Sequence, residues 1–87
     1  MSEEELRRMR WAARRGMLEL DLVLEPFVAE RFAGLDADDK VRFHRLMECE
    51  DQELYAWFLQ REEPEDEELA GIVRTILEFA RTPPADR

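Results

Sequence analysis

The sequence predicts an all-α fold, a small five-helix bundle in a single domain. Three observations carry that expectation. Apolar residues recur at three- and four-residue intervals over most of the chain, the spacing that gathers them on one face of a helix. Only one stretch alternates as a strand would, and a strand with nothing to pair with is not stable. Start and stop signals divide the chain into helical pieces joined by short connections.

The first helix is expected from about Glu3 to Arg15. Ser2 is a good N-cap, and Glu5 three residues later completes a capping box. Leu6, Met9, Ala13 and Met17 form its apolar stripe, with Trp11 to one side. The next segment is the alternating one. Leu18, Leu20, Leu22 and Leu24 suit a half-buried strand, whereas Leu20, Val23, Leu24, Phe27, Val28, Arg31 and Phe32 suit one face of a helix. We read it as a helix that ends at Ala33-Gly34, bent or split at Pro26, which removes a backbone hydrogen bond.

A third helix is expected to start at Asp36 as N-cap, with Asp39 three residues on and Val41, Phe43, Leu46 and Met47 facing the core. A break near Cys49-Glu50-Asp51 leads to a short aromatic helix from about Asp51 to Arg61, bearing Leu54, Tyr55, Trp57, Phe58 and Leu59. The segment Glu62–Asp66 is a polar connector containing Pro64. The last helix shows Leu69, Ile72, Val73, Ile76, Leu77 and Ala80 at regular spacing, with Gly71 inside it. Pro83-Pro84 should stop it. The domain is expected to span residues 1–82, with a disordered tail over 83–87.

Composition bounds the function. Eighty-seven residues build one modest core. The net charge is −9, which disfavours nucleic acid and anionic membrane surfaces as partners. No apolar run approaches the roughly 20 residues that span a bilayer. The acidic start Met1-Ser2-Glu3-Glu4-Glu5 resembles neither a signal nor a transit peptide. A single cysteine, Cys49, permits no disulfide within the chain, so the cytoplasm is the expected compartment. Charge is unevenly spread: the first fifteen residues carry a net +2, leaving −11 for the rest.

Reactive constellations are few. There is one histidine, His44, too few for metal sites built on several, and it is expected at the surface. Asp36-Ala37-Asp38-Asp39 begins like a calcium loop but has Val41 where the glycine belongs and Met47 where the closing glutamate belongs. There is no phosphate-cradling glycine loop and no Cys-x-x-Cys pair. Cys49 reads as a small hydrophobe, buried or half-buried.

The best candidate site is the turn Arg14-Arg15-Gly16-Met17-Leu18-Glu19-Leu20-Asp21. Arginines followed by glycine form a helix stop, and Glu19 stands in the first turn of the next helix, where a carboxylate meets exposed N–H groups. A guanidinium and a carboxylate are thereby expected side by side on a rigid corner. Taken alone, this is ordinary capping, and the residues leave open whether it is also a binding site. The aromatics of the fourth helix are a second candidate, although core packing accounts for Trp57 and Phe58 more simply.

Three blocks in register resemble a known family. Arg15-Gly16-Met17-Leu18-Glu19, extended by Asp21, matches an Arg-Gly-x-x-Glu signature. Phe43–Asp51 with Glu53-Leu54-Tyr55-Ala56-Trp57 matches a second block, and Leu69–Val73 matches the last helix. Over roughly residues 3–80 the chain is similar to the succinate dehydrogenase assembly factors that promote covalent flavin attachment. That resemblance implies a non-enzymatic, monomeric, cytoplasmic factor that binds the flavoprotein subunit of succinate dehydrogenase, with that of fumarate reductase as a further client. FAD would be the client's cofactor, joined to a client histidine whose imidazole attacks the flavin, and not one this chain holds stably. Arg15, Gly16 and Glu19 would meet the client, with Arg14, Met17 and Asp21 beside them. Arg15 would grip a client carboxylate or carbonyl, and Glu19 would accept from a client donor or orient Arg15 from within. An antitoxin-like regulator that binds a toxin partner is the alternative, since relatives of the family have been described in that way. A factor that binds FAD itself and a generic helical adaptor are further readings.

Overall fold

The computed structural model describes residues 3–83. Five helices run in order, α1 Glu3–Ala12, α2 Leu18–Arg31, α3 Ala37–Met47, α4 Asp51–Phe58 and α5 Glu67–Arg81, with a 3₁₀ turn at Phe32–Gly34. The fold is all-α, as the spacing predicts. Helix α2 is the central element, packing on α1, α4 and α5, while α3 packs on α5.

The leucine alternation resolves as a helix with two apolar faces. Leu20, Leu24, Phe27 and Val28 are buried, while Leu18 and Leu22 point to solvent. Residues four apart share a helical face, so one period-two row becomes two stripes, one inside and one outside. Pro26 lies within α2 without splitting it. The carbonyl deprived of its partner belongs to Leu22, an exposed residue, where water can satisfy it.

The core is rich in phenylalanine. Phe27 stacks on Phe43 at 5.7 Å and meets Phe79 edge-on at 5.5 Å, and Phe32 lies 5.4 Å from Phe43. Three helices and the 3₁₀ turn thus contribute rings to one cluster, at separations that favour aromatic contact. Met9, Ala13, Leu46, Leu54, Phe58, Ile72, Val73 and Ile76 extend it.

Several expectations shift. Helix α1 stops at Ala12 rather than Arg15, because Arg14 N–H turns back to Trp11 O at 3.1 Å in a tighter turn. Val41 is exposed rather than in the core. On α5 the expected Ala80 is exposed and Phe79 is buried, since Phe79 rather than Ala80 continues the stripe of Ile72 and Ile76. His44 is only partly exposed, edge-on to Phe32 at 6.1 Å with Glu5 3.8 Å from Nε2. The Ser2 cap and the tail at residues 84–87 lie outside the described residues.

Capping explains most helix ends. Asp36 Oδ1 accepts from Asp39 N–H at 2.8 Å. Glu50 caps α4 in a reciprocal box with Glu53, and Asp66 Oδ1 accepts from Glu68 and Leu69 N–H groups. Helix α4 ends at Phe58 instead of near Arg61, and the cause is Gln60, whose φ is 61°. Gln60 N–H reaches Trp57 O, and Arg61 N–H reaches Ala56 O at 2.9 Å. This double closure normally uses glycine at the left-handed position. Gln60→Gly is therefore expected to stabilise the fold by about 1 kcal/mol, read as a rise in the midpoint of chemical denaturation.

Asp66 also joins α3 to the start of α5. Arg45 Nη2 donates to it at 2.6 Å and Arg45 Nη1 donates to Glu68 at 2.7 Å. The Arg45 hydrogen bond, helped by the Leu69 and Glu68 N–H groups, holds the Asp66 carboxyl below its usual range. A carboxyl whose pKa is lowered on folding adds stability above its unfolded value, about 3.9. That stability is lost as pH falls through the lower folded value. Asp66→Asn, which keeps a capping oxygen, should therefore be less stable than wild type at neutral pH, with the gap starting to close at about pH 4 and closing fully only below the folded value. Paired acid titrations followed by circular dichroism check this, and the difference should shrink in high salt because the site is exposed.

Candidate functional site

The turn between α1 and α2 is built around the Arg15 side chain, only 15% exposed. Its guanidinium points inward and reaches three other parts of the chain. Nε donates to Asp51 Oδ1 at 2.7 Å, Nη1 to Ala12 O at 3.0 Å and Met47 O at 2.9 Å, and Nη2 to Cys49 O at 2.6 Å. Four of the five guanidinium N–H groups are thereby engaged. Ala12 and Met47 are the last residues of α1 and α3. A cation there satisfies terminal carbonyls and meets the negative ends of two helix dipoles. Asp51, in the first turn of α4, supplies the counter-charge.

The backbone of the turn is held as well. Arg15 N–H donates to Asp21 Oδ1 at 2.9 Å. Met17 is the N-cap of α2 without a side-chain cap of its own, and it rests half-buried against the core. Gly16 takes φ 78°, and a Cβ built there would meet nothing within 4 Å. Glycine is therefore needed for the left-handed backbone, and the surface beside it is open.

The structure divides the predicted residues. Arg15 and Asp21 are brought together through the Arg15 N–H, and the Arg15 side chain faces into the fold. Glu19 is exposed and, among the described residues, makes no hydrogen bond or ion pair. The carboxylate beside Arg15 is Asp51, not the expected Glu19, so Glu19 does not orient Arg15. A bidentate grip by Arg15 on a client meets a guanidinium already occupied within its own chain. Arg14 is exposed and pairs with Glu25 of α2 at 3.2 Å. Trp11, Leu18 and Leu22, on the helices flanking the turn, are about two-thirds exposed or more.

The acceptors of Arg15 are not legible in the sequence. Asp51 shows there only as the start of the fourth helix, and backbone carbonyls carry no sequence signal. Cys49 is half-buried as expected. Burial, with the Glu53 charge adding to it, pushes its thiol up, outweighing the nearby Arg15 and Arg45 charges. The second candidate surface is mostly core: Phe58 is buried and Trp57 packs partly against it, and Arg61 lies over the Tyr55 ring at 5.9 Å. Among the described residues no three His, Cys, Asp or Glu side chains converge to hold a metal, and no helix is long and apolar enough to cross a membrane.

Fold and site together define a small helical module with a hydrogen-bonded corner that leaves a bare glycine and, among the described residues, an unpaired carboxylate facing solvent. Comparison with known proteins agrees with the expected resemblance. The family model described as the flavinator of succinate dehydrogenase matches residues 7–80, and the chain belongs to that family of assembly factors. Among its relatives, the FAD assembly factor SdhE of Pseudomonas aeruginosa is 58% identical over 76 residues, covering 87% of this chain and 90% of that protein. The protein of the same name from Idiomarina loihiensis is 51% identical over 79 residues, covering 87% and 88%. That from Shewanella oneidensis is 56% identical over 66 residues, covering 76% and 80%.

Proposed function

We propose that this chain binds the flavoprotein subunit of succinate dehydrogenase through the Gly16–Glu19 corner and so promotes covalent attachment of FAD to a histidine of that subunit. The observation that carries this reading is Glu19: an exposed carboxylate without a partner among the described residues, on a corner that Arg15 and Asp21 hold rigid. A carboxylate presented from an anchored backbone gives a charge-assisted bond to a client Arg, Lys or backbone N–H. The bare surface at Gly16 lets a client backbone come close. Exposed Trp11, Leu18 and Leu22 flank the corner and offer apolar area to the same contact.

FAD belongs to the client in this reading. Glu19, Asp21 and Asp51 stand around the corner and the exposed Arg14 is already paired with Glu25, a poor setting for a pyrophosphate. The flavin and the client's histidine supply the bond-forming chemistry. The residues of this chain supply a docking geometry that aligns the two, and alignment is worth several kcal/mol of barrier. The same reading has the chain acting as a monomer in the cytoplasm, with fumarate reductase as a second client.

The test is a flavinylation assay. Apo flavoprotein subunit and FAD are incubated with or without this protein, run on a denaturing gel and read by in-gel flavin fluorescence. Wild type should speed labelling. Glu19→Ala and Gly16→Arg should each slow it roughly tenfold or more, the scale of one lost charge-assisted contact, while keeping the helical circular dichroism. Gly16→Ala is the control for backbone strain, since both Gly16 variants bear the same positive φ and only arginine adds bulk outside. Normal labelling with both Glu19→Ala and Gly16→Arg would reduce the corner to a helix cap.

A further inference from the structure

The corner is held in part by a residue that belongs to neither of the helices it joins. Asp51 lies 36 positions beyond Arg15 and accepts from its Nε at 2.7 Å. The backbone just before Asp51 does the same work, with Cys49 O and Met47 O taking Nη2 and Nη1. The α3–α4 connection therefore forms the floor on which Arg15 rests. Arg15 is nearly covered, whereas the Asp51 side chain is 43% exposed at the rim. Among the described residues, Asp51 is the charged acceptor of this guanidinium; its other three acceptors are backbone carbonyls.

We propose that Asp51 is a positioning residue for the client-binding corner, acting through Arg15. The inference rests on the corner reading above. Its physical content is conformational. Gly16 removes the local stiffness a side chain would give, so the direction in which Glu19 is presented depends on how firmly residue 15 is anchored. Arg15 is anchored at its backbone by Asp21 and at its side chain by Asp51 and three carbonyls. Without Asp51 the Nε–H loses its side-chain acceptor and the fork can rotate away from the carbonyls. The turn then samples several arrangements, and the client must select one of them, which lowers apparent affinity by the fraction of time that one is populated.

The test uses the full chain and the purified flavoprotein subunit, with client affinity and labelling rate measured for Glu19→Ala, Asp51→Ala, Asp51→Asn, Arg15→Gln and the Asp51→Ala/Arg15→Gln double variant. Asp51→Ala is expected to weaken client binding by roughly tenfold, the scale of one hydrogen bond to a charged group. Asp51→Asn keeps an oxygen for Nε–H and should recover most of that loss. The double variant should be no worse than Arg15→Gln, because a residue that acts only through another adds nothing once that other is gone. A client-free readout accompanies these. The Arg15 Nε–H proton should exchange slowly with solvent in wild type and Asp51→Asn, and fast in Asp51→Ala.

Each outcome decides. If Glu19→Ala binds poorly and Asp51→Ala binds like wild type, the positioning role is wrong while the corner stands. Losses that add in the double variant would make Asp51 a direct client contact and overturn the proposal equally. Unchanged Nε–H exchange in Asp51→Ala would remove its physical basis. If Glu19→Ala itself binds and labels normally, the corner reading falls and the inference falls with it. Thermal melts identify any variant that fails to fold. In that case Asp51→Glu, which keeps a carboxylate but shifts the acceptor, takes the place of Asp51→Ala: fast Nε–H exchange with weakened client binding supports the proposal, and fast exchange with wild-type binding overturns it.

Discussion

Phe27→Ala is expected to destabilise the fold by about 3–5 kcal/mol, the range for truncating a buried phenylalanine. Phe27 is 1% exposed and sits between the Phe43 and Phe79 rings, so its removal opens a cavity at the meeting point of α2, α3 and α5. Domains of this size have stabilities of roughly 5–15 kcal/mol, so the loss is about a fifth of the total or more. The melting midpoint should fall by about 15–30 °C, measured by circular dichroism. Val41→Ala is the matched control. Helical spacing alone places Val41 in the core, yet it is 59% exposed, and its truncation should move stability by no more than about 0.5 kcal/mol. A large effect at Val41, or a small one at Phe27, would contradict the packing described.

The second large effect is at Arg15. Arg15→Ala leaves Ala12, Met47 and Cys49 carbonyls without this donor and Asp51 without its cation. A loss of roughly 2–4 kcal/mol is expected, between the cost of one charged hydrogen bond and that of a broken buried pair. Arg15→Lys is more informative. It keeps the charge but replaces a planar fork by a point donor, which cannot serve acceptors on three separate elements at once. Lysine should therefore recover only a minor part of the stability. Denaturant titration of the three proteins measures it, and full recovery by lysine would show that charge alone is what matters. Glu19→Ala should leave the denaturation midpoint close to wild type, because Glu19 makes no contact among the described residues that would be lost. The two halves of the signature thus differ in kind, one affecting stability and the other expected to affect the client.

Much of this architecture is legible in the order of residues alone. The stripe of Leu6, Met9, Ala13 and Met17 does face the core. Asp36 caps α3 through Asp39, and Ile72, Val73 and Ile76 are buried on α5. These features depend on residues three or four apart, and helical geometry places such residues together whatever surrounds them. The differences fall where a local signal has two readings. A helix end after Arg15 is as plausible from the residues as one after Ala12, and Gln60 gives no warning that it takes the backbone of a glycine.

Sequence by itself determined the helices, the Asp36 cap and the Gly16 turn, because these follow from periodicity and from the conformations each residue permits. Membership of the family was also legible there, in three blocks of residues in register. Only the tertiary structure decided which way Arg15 faces. Its partners are a carboxylate 36 residues away and carbonyls 32 and 34 residues away, together with one at the end of the preceding helix. No spacing rule brings those atoms together. The packing of α1 and α4 on α2, and of α3 on α5, does, and a nearly covered guanidinium must find acceptors where that packing leaves carbonyls without a helical partner. Glu19, on the first turn of α2 and beyond the reach of that cluster, is left to the solvent.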